Sequence, residues 1–522
     1  MGKKKIAAAC GVGAAAIVFG GLIMYKNFDA IFPEKIDSDF TVSYDGIETD
    51  SIKAFASVHD PSIIKADGLF YIFGTHMTAA FSEDLRKWTY AGNGYVASNA
   101  VYGSLYQDED VFAYTGKASS VVPTDDGGCH LWAPDVIYNE AMGKYVMYYC
   151  TSSTWNASTL EYAVSDTIDG TYEFAGNLIY SGITPETLEY TDVCDYVSEE
   201  YATENYIKAS GEYNYDSYPN ALDPSVFYDE DGRMWMVYGS WSGGIFLLEI
   251  DEATGQVIHP ESDPDNNVDA YFGKKLMGGG HKSIEGPYIQ YDADSGFYYL
   301  FVSYGTLTSQ GGYQIRVFRS ETVDGDYVDM FGQTPFINSG NHAYFGLKLS
   351  GNYRLPSLEQ AYMATGHNSA MIDEDTGKKY IAYHTRFENN GENHQPRVKQ
   401  YFLNAEGWPC MLPYATSGET ISEDISVSDV AGEYYVINQG TAIDNQIAEP
   451  FKLILTKRGK VYGEGIEGTW TLTKGSYYMT ITYEDTTYSG VFCRQEDEAG
   501  TEVVTFTAVG ENASVWGVMY ED

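Results

Sequence analysis

Along the chain an apolar, aromatic run recurs, and each time an acidic turn ending in glycine breaks it. The clearest copies are SVHDPSIIKADGLFYIFGTH from Ser57, LWAPDVIYNEAMGKYVMYYCTS from Leu131, LDPSVFYDEDGRMWMVYGSW from Leu222, IEGPYIQYDADSGFYYLFVSYG from Ile284 and GHNSAMIDEDTGKKYIAYHTRF from Gly366. Each begins with a polar or acidic residue and a short, mostly apolar stretch. A turn follows (KADG, NEAMG, DEDG, DADSG or DEDTG), then a second aromatic stretch. Short runs rich in β-branched and aromatic residues, joined through Gly, predict antiparallel hairpins rather than helices. Three of the hairpins are followed by a further segment: FSEDLRKWTY from Phe81, VSDTIDGTYEF from Val164 and RSETVDGDYVD from Arg319. It predicts an outer strand and its turn, so the repeating unit is about four short strands, a propeller blade.

The five units start at Asp60, Asp135, Asp223, Glu285 and His367, at intervals of 75, 88, 62 and 82 residues. A bare blade takes about 40–50 residues, so long loops must decorate these. The expectation is an all-β chain with a five-bladed β-propeller over residues 40–415. Near Pro413 the repeat stops. From about Ser428 to Asp522 come shorter alternating runs such as GEYYVINQ, FKLILTKRGKVYG and GTWTLTKGSYYMTITYED. They predict an antiparallel meander over 428–522, closed as a small barrel or sandwich; its aromatics read mostly as core.

Composition agrees with this. Aromatics make up 15% of the 522 residues, with 47 Tyr, and Gly numbers 54. A formal net charge of −43 repels phosphate backbones and excludes nucleic acid as a partner. The six cysteines (Cys10, Cys129, Cys150, Cys194, Cys410 and Cys493) have no metal-type spacing. Cys150 reads as a buried thiol, and a disulfide between two others stays open. Three lysines precede an uncharged run of 20 residues from Ile6 to Tyr25, long enough to cross a bilayer as a helix. Residues 1–27 therefore read as a secretory signal or a membrane anchor, with the chain from about Phe28 facing outside.

In a propeller the innermost strands converge on one axis, and residues that begin them face one another. Asp60, Asp223 and Glu285 each begin such a strand beside a Pro, in HDP, LDP and EGP. Acids gathered in one small ring raise one another's pKa, so one holds a proton while another stays ionised. Glycoside hydrolysis needs that division of labour. A lone DP pair is ordinary turn chemistry; three acids at the heads of repeated units are a candidate site. Asp135 falls out of phase with the others and reads as structural.

The chain resembles glycoside hydrolase family 43, and within it the arabinanases, through VHDP (58–61), LWAPDV (131–136), NALDPSVF (220–227), SIEGPYI (283–289) and GHNS (366–369). The resemblance spans roughly Phe40 to Leu412, and the tail is similar to a small β-domain that follows the propeller in some extracellular arabinanases. It implies a five-bladed propeller and inversion at the anomeric carbon. Asp60 would be the general base that activates water and Glu285 the general acid. Asp223 would raise the acid's pKa and hold it in place. The Asp60 and Glu285 carboxyls would stand about 6.5–9.5 Å apart. His367 would line the channel and help hold a metal, calcium, largely through waters, with His384 as the competing candidate. Trp132 and Trp241 are candidate sugar-stacking faces; His59 and Asn220 are candidate substrate contacts.

The expected activity is endo-α-1,5-L-arabinanase, acting on arabinan outside the cell as a monomer, with a membrane tether if the N-terminal segment is retained. The alternatives are an exo-acting α-L-arabinofuranosidase or β-xylosidase of the same family, and a non-catalytic sugar-binding propeller. The segment from Ile183 to Tyr218 is the loop best placed to close or open the groove.

Overall fold

The computed structural model describes residues 39–115, 130–152, 157–336 and 341–521. The chain divides into Met1–Thr41 and a compact unit from Val42 to Asp522, and the second of these holds the sheets. Its hairpins are set by local turn chemistry. Ser62–Ala66 pairs with Leu69–Gly74, and Ala66 stands opposite Leu69. Only Asp67 and Gly68 lie between them, with φ of 51° and 80°, a tight turn whose twist matches that of the strands. In the other hairpins the residue opening the turn binds backbone N–H groups ahead of it. Met142 N–H donates to Asn139 Oδ1, Asp231 and Arg233 N–H to Asp229 Oδ1, Asp294 N–H to Asp292 Oδ1 and Asp375 N–H to Asp373 Oδ1. The acidic turns are thus local backbone caps.

Four separate sheets follow this plan. They are led by the innermost strands Ser62–Ala66, Leu131–Asn139, Ser225–Tyr228 and Tyr362–Ile372. Four further strands, Ile284–Asp292, Phe297–Tyr304, Gln314–Ser320 and Leu347–Ser350, are paired in the same order but open a twelve-stranded sheet. Each of the five leading strands packs against two others, and the sequence of contacts returns from Tyr362–Ile372 to Ser62–Ala66. The arrangement is all-β and propeller-like. Backbone and hydroxyl groups stitch neighbours together at the hub. Ser369 Oγ donates to Pro61 O at 2.8 Å and accepts from Ile63 N–H at 3.1 Å. Asp135 accepts from Ser62 Oγ and, at 2.7 Å, from Val226 N–H.

The rest of the twelve-stranded sheet is a closed C-terminal barrel. Its eight strands run from Glu433–Asn438 to Ala513–Met519, and the last pairs with both the first and Glu502–Gly510. Trp470, Phe492, Phe506 and Val515 fill the interior, so most tail aromatics are core. The barrel is joined to the propeller by backbone: Lys348 pairs in parallel with Ala513. A shared core contains Tyr353, Tyr383 and Trp408 from one side and Trp516 and Val518 from the other.

Cys150, Cys194, Cys410 and Cys493 are free thiols, so no disulfide joins the described residues. No helix among the described residues is long and apolar enough to cross a membrane. The predicted signal or anchor segment 1–27, with Cys10, lies outside the described residues, as does Cys129.

Candidate active site

Each leading strand has a left-handed residue at its hub end: Asp60 (φ 52°), Ala133 (40°), Asp223 (54°), Gly286 (55°) and His367 (47°), the last on a strand that also holds Ala364 (49°). In four of the five, Pro follows at once. A non-glycine residue there stores about 1–2 kcal/mol, and such strain concentrates at functional positions. This frame agrees with the displaced phase read for Asp135 and corrects the phase read for Glu285. Asp60, Asp223 and His367 share one phase, but Glu285 stands one residue before it and Asp135 two residues after Ala133. Register shifts lie at both places, between Glu285 and Tyr288 and between Trp132 and Asp135. Such irregularities re-aim a side chain at a strand end.

A cleft of about 420 Å³ at this end of the hub is lined by Asp60, Asp223, Glu285, His367, His59, Asn220, Trp132 and Trp241, together with His130, Ser240, His281 and Leu307. All eight predicted site residues therefore meet in one place. Asp60 is buried. Thr75 Oγ1 donates to its Oδ2 at 2.6 Å, and Ala133 N–H donates in turn to Thr75 Oγ1 at 2.9 Å. Three imidazoles face its other oxygen: His59 Nδ1 at 2.7 Å, His367 Nδ1 at 3.1 Å and His384 Nδ1 at 3.6 Å. Burial by itself would raise the Asp60 pKa. His367, His59 and His384 outweigh it and hold the carboxyl well below its usual range.

The other two acids behave oppositely. Burial first, then the charges of Glu285 and Asp60, push Asp223 up to about 7. Burial, with Asp60 adding to it, also raises Glu285, against the pull of His367, Tyr313 and Ser240. Gly286 N–H donates to Asp223 Oδ2 at 3.1 Å and Ser240 Oγ to Glu285 Oε2 at 3.0 Å. His367 is raised because Asp60, Asp223 and Glu285 together outweigh its burial. The hub thus keeps one carboxylate ionised and a proton within the Asp223–Glu285 pair near neutrality.

The walls are aromatic and polar. Trp132 is held by its Nε1–H to Ser152 Oγ at 2.9 Å and stacks on His130 at 5.5 Å. Trp241, itself at φ 56°, lies 5.5 Å from the His281 ring. Asn220 donates to Ser240 O, leaving its buried Oδ1 without a partner. The segment 183–218 does not line the cleft. It packs behind the Trp241–His281 rim, where Gly243 N–H donates to Tyr215 O and Gly280 N–H to Asp216 O. Sequence reading missed Thr75, Ser240, Tyr313, His130 and His281. Tyr313 OH lies 3.5 Å from His367 Nδ1. Their signal is weak because they come from second strands and loops rather than from strand-entry motifs.

His59, Asp60 and His384 offer ligand atoms within 4.8 Å of one another, so the competing candidate His384 rather than His367 joins the cluster. The buried His384 Nε2 has no partner. Calcium takes six to eight oxygens; one carboxylate and two imidazoles do not make such a cage. As direct ligands this set does not fit calcium.

Comparison with known proteins agrees with the geometry. The family model for glycosyl hydrolases family 43 matches residues 54–409, and that for a C-terminal lipocalin-like domain matches 413–517. The chain is 36% identical over 478 residues to extracellular endo-α-(1→5)-L-arabinanase 2 of Bacillus subtilis, covering 88% of this chain and 92% of that one. It is 36% identical over 483 residues to the extracellular endo-α-(1→5)-L-arabinanase of Thermotoga petrophila, covering 90% and 94%. A crystal structure of the Thermotoga enzyme superposes with a TM-score of 0.76 over 89% of this chain and 99% of that one. The family 43 protein YxiA of Bacillus licheniformis gives 0.77 at 37% identity, over 90% and 99%.

Thr75→Val keeps the side chain's shape but leaves a buried, ionised Asp60 oxygen without its donor. A loss of about 1–3 kcal/mol is expected, read as a lower melting temperature at neutral pH.

Proposed function

The chain belongs to glycosyl hydrolases family 43, and from that premise we propose that it is an extracellular, endo-acting α-1,5-L-arabinanase working by inversion. The observation that carries the reading is the opposed state of the hub acids: Asp60 held ionised, Asp223 and Glu285 raised, all on one cleft. Asp60 takes a proton from a water that attacks the anomeric carbon. Glu285 gives its proton to the departing glycosidic oxygen. Asp223, beside the Gly286 N–H, keeps Glu285 protonated and in place. One C–O bond forms as another breaks, and the sugar leaves with inverted configuration.

The four strands Ile284–Asp292 to Leu347–Ser350 are read as one of five propeller blades, within a catalytic domain of residues 40–415; residues 428–522 form the second domain. Two features support endo action. Segment 183–218 buttresses the rim without capping the cleft, and the arabinanases at 36% identity over about nine-tenths of the chain carry endo names. Trp132 and Trp241 stack on sugar rings; His59 and Asn220 contact hydroxyls. The proposed cation is calcium, held chiefly through water beside His367 and His384, with no step of the reaction passing through it. Its extracellular setting follows the names of the same two relatives.

Incubation with linear arabinan should release long fragments early; arabinose alone from the start would mean exo action, and no product would favour a binding protein. Glu285→Gln should lower kcat by roughly 10²–10⁴-fold while oligosaccharide binding, measured by calorimetry, stays within a few-fold. The pH profile has a derived sign. Activity falls on the alkaline side as the Asp223–Glu285 proton leaves near pH 7. On the acid side it persists until Asp60 protonates, below the usual carboxylate range. A profile of kcat/KM against pH checks both limbs. Elemental analysis of extensively dialysed protein should find about one calcium per chain, and chelation should lower the melting temperature, restored by added calcium.

A further inference from the structure

A second cavity, of about 650 Å³, opens where the propeller meets the barrel. It is remote from the hub. Glu285 and Asp292 lie on one nine-residue strand, so at about 3.3 Å per residue the cavity's Asp292–Phe297 turn stands roughly 23 Å from the catalytic end. Its walls come from both halves of the molecule: propeller turns and the strand His394–Leu403 on one side, the linker at Thr420 and barrel residues Tyr477 and Tyr478 on the other.

Three observations define what it would bind. Gln400, only 2% exposed, lines it with a buried Oε1 that has no partner. Tyr477 and Tyr478 are half-buried, with ring centroids 4.6 Å apart and planes at 55°, so they present two angled aromatic faces. Most charged groups around the cavity are answered from within, the exposed Glu406 at the rim excepted. Lys379 lies 3.0 Å from Asp292 and 3.4 Å from Asp294, Lys378 donates to Gly418 O, and Glu419 accepts from Thr416 Oγ1 and Ser417 N–H. What remains is a neutral acceptor, one rim carboxylate and two aromatic faces. That chemistry suits the hydroxyls and C–H faces of an uncharged sugar chain, not an anion.

We propose that this interdomain cavity is a non-catalytic binding site for a second stretch of neutral polysaccharide. That the polysaccharide is arabinan rests on the proposed activity of the catalytic cleft. The barrel, which supplies Tyr477 and Tyr478, then gives the enzyme a hold on polymer that short substrates do not use.

The test uses the full chain carrying Glu285→Gln, so that polymer is bound without being cut. Hydroxyl-radical footprinting with and without linear arabinan should show Tyr477 and Tyr478 protected. In native gels containing arabinan, adding Tyr477→Ala or Tyr478→Ala should weaken retardation about 5-fold or more. In the otherwise wild-type enzyme the same changes should raise KM for arabinan and leave kinetics on arabinotriose unaltered. Unprotected tyrosines, or unchanged retardation by folded variants, overturn the site; footprinting needs no variant in the cavity and decides even if one unfolds. Parallel runs with galactan, xylan and polygalacturonate separate the two readings. Protection by galactan or xylan, with arabinan neither cut nor bound, keeps the cavity as a neutral-glycan site and overturns the arabinanase reading. Protection by polygalacturonate alone overturns the neutral ligand.

Discussion

Three carboxyl groups crowded out of water at one hub cannot all carry charge without a counter-charge at close range. His367 supplies it. Its Nδ1 lies 3.1 Å from Asp60, and its charged form is favoured by Asp60, Asp223 and Glu285 together. The ring can sit there because the facing residue is glycine: a Cβ on Gly286 would come within 3.3 Å of three imidazole atoms. Ser303 Oγ accepts from the His367 N–H at 2.7 Å and fixes the backbone behind the ring. One small residue, one imidazole and one hydroxyl thereby decide how the protons are shared among acids from three different strands.

The same hub explains the left-handed entry residues. A strand beginning in ordinary extended geometry would send its first side chain along the sheet face; the left-handed turn followed by Pro redirects it toward the axis. The strain is tolerable because neighbouring strands over-determine the backbone there. Asp135 ties the first three leading strands through Ser62 and Val226, and Ser369 ties the last leading strand to the first. Burial raises Asp135 to about 6 against those hydrogen bonds, as befits a carboxyl whose work is to hold backbone and hydroxyl donors at the centre of a ring of strands.

Much of this was legible in the chain because it is local. The turns KADG and DEDG specify hairpins through their own side chains and glycines, and repetition betrays the sheets they build. The acids at the heads of those units could be recognised as a set, but their phase could not. In EGP the acid stands one residue further from Pro than in HDP and LDP, but only the left-handed Gly286 and the register shift before Tyr288 show which residue holds the shared position. Thr75, Ser240 and Tyr313 were invisible for another reason: they orient the hub acids from later strands and loops, and only the tertiary fold brings them within bonding distance. Likewise the alternation of the tail reads as a barrel, while the parallel pairing of Lys348 with Ala513 that welds it to the propeller leaves no sequence trace.

That weld makes the barrel part of the propeller's own stability. Arg316 is fully buried within a propeller strand, and its guanidinium donates to the carbonyls of Ala343, Phe345 and Gly346 and to Thr441 O from a barrel loop. Lys348 Nζ and Gln314 Nε2 both donate to Ala442 O in the same loop. Lys399 Nζ donates to Pro413 O at 2.6 Å and lies 4.1 Å from the Trp516 ring centroid, so a barrel indole covers the buried end of a propeller lysine. Burial disfavours the charged form of all three, pushing Lys348 down to about 7 and Lys399 well below its usual range, so these side chains depend on the acceptors around them. Removing the barrel would strip acceptors from Arg316 and Lys348 and an aromatic cover from Lys399 at once. Arg316 stands on the strand paired with Phe297–Tyr304, which pairs in turn with the strand of Glu285, and Lys348 stands on the next strand out, so the barrel bears indirectly on the strands that carry the proposed acid.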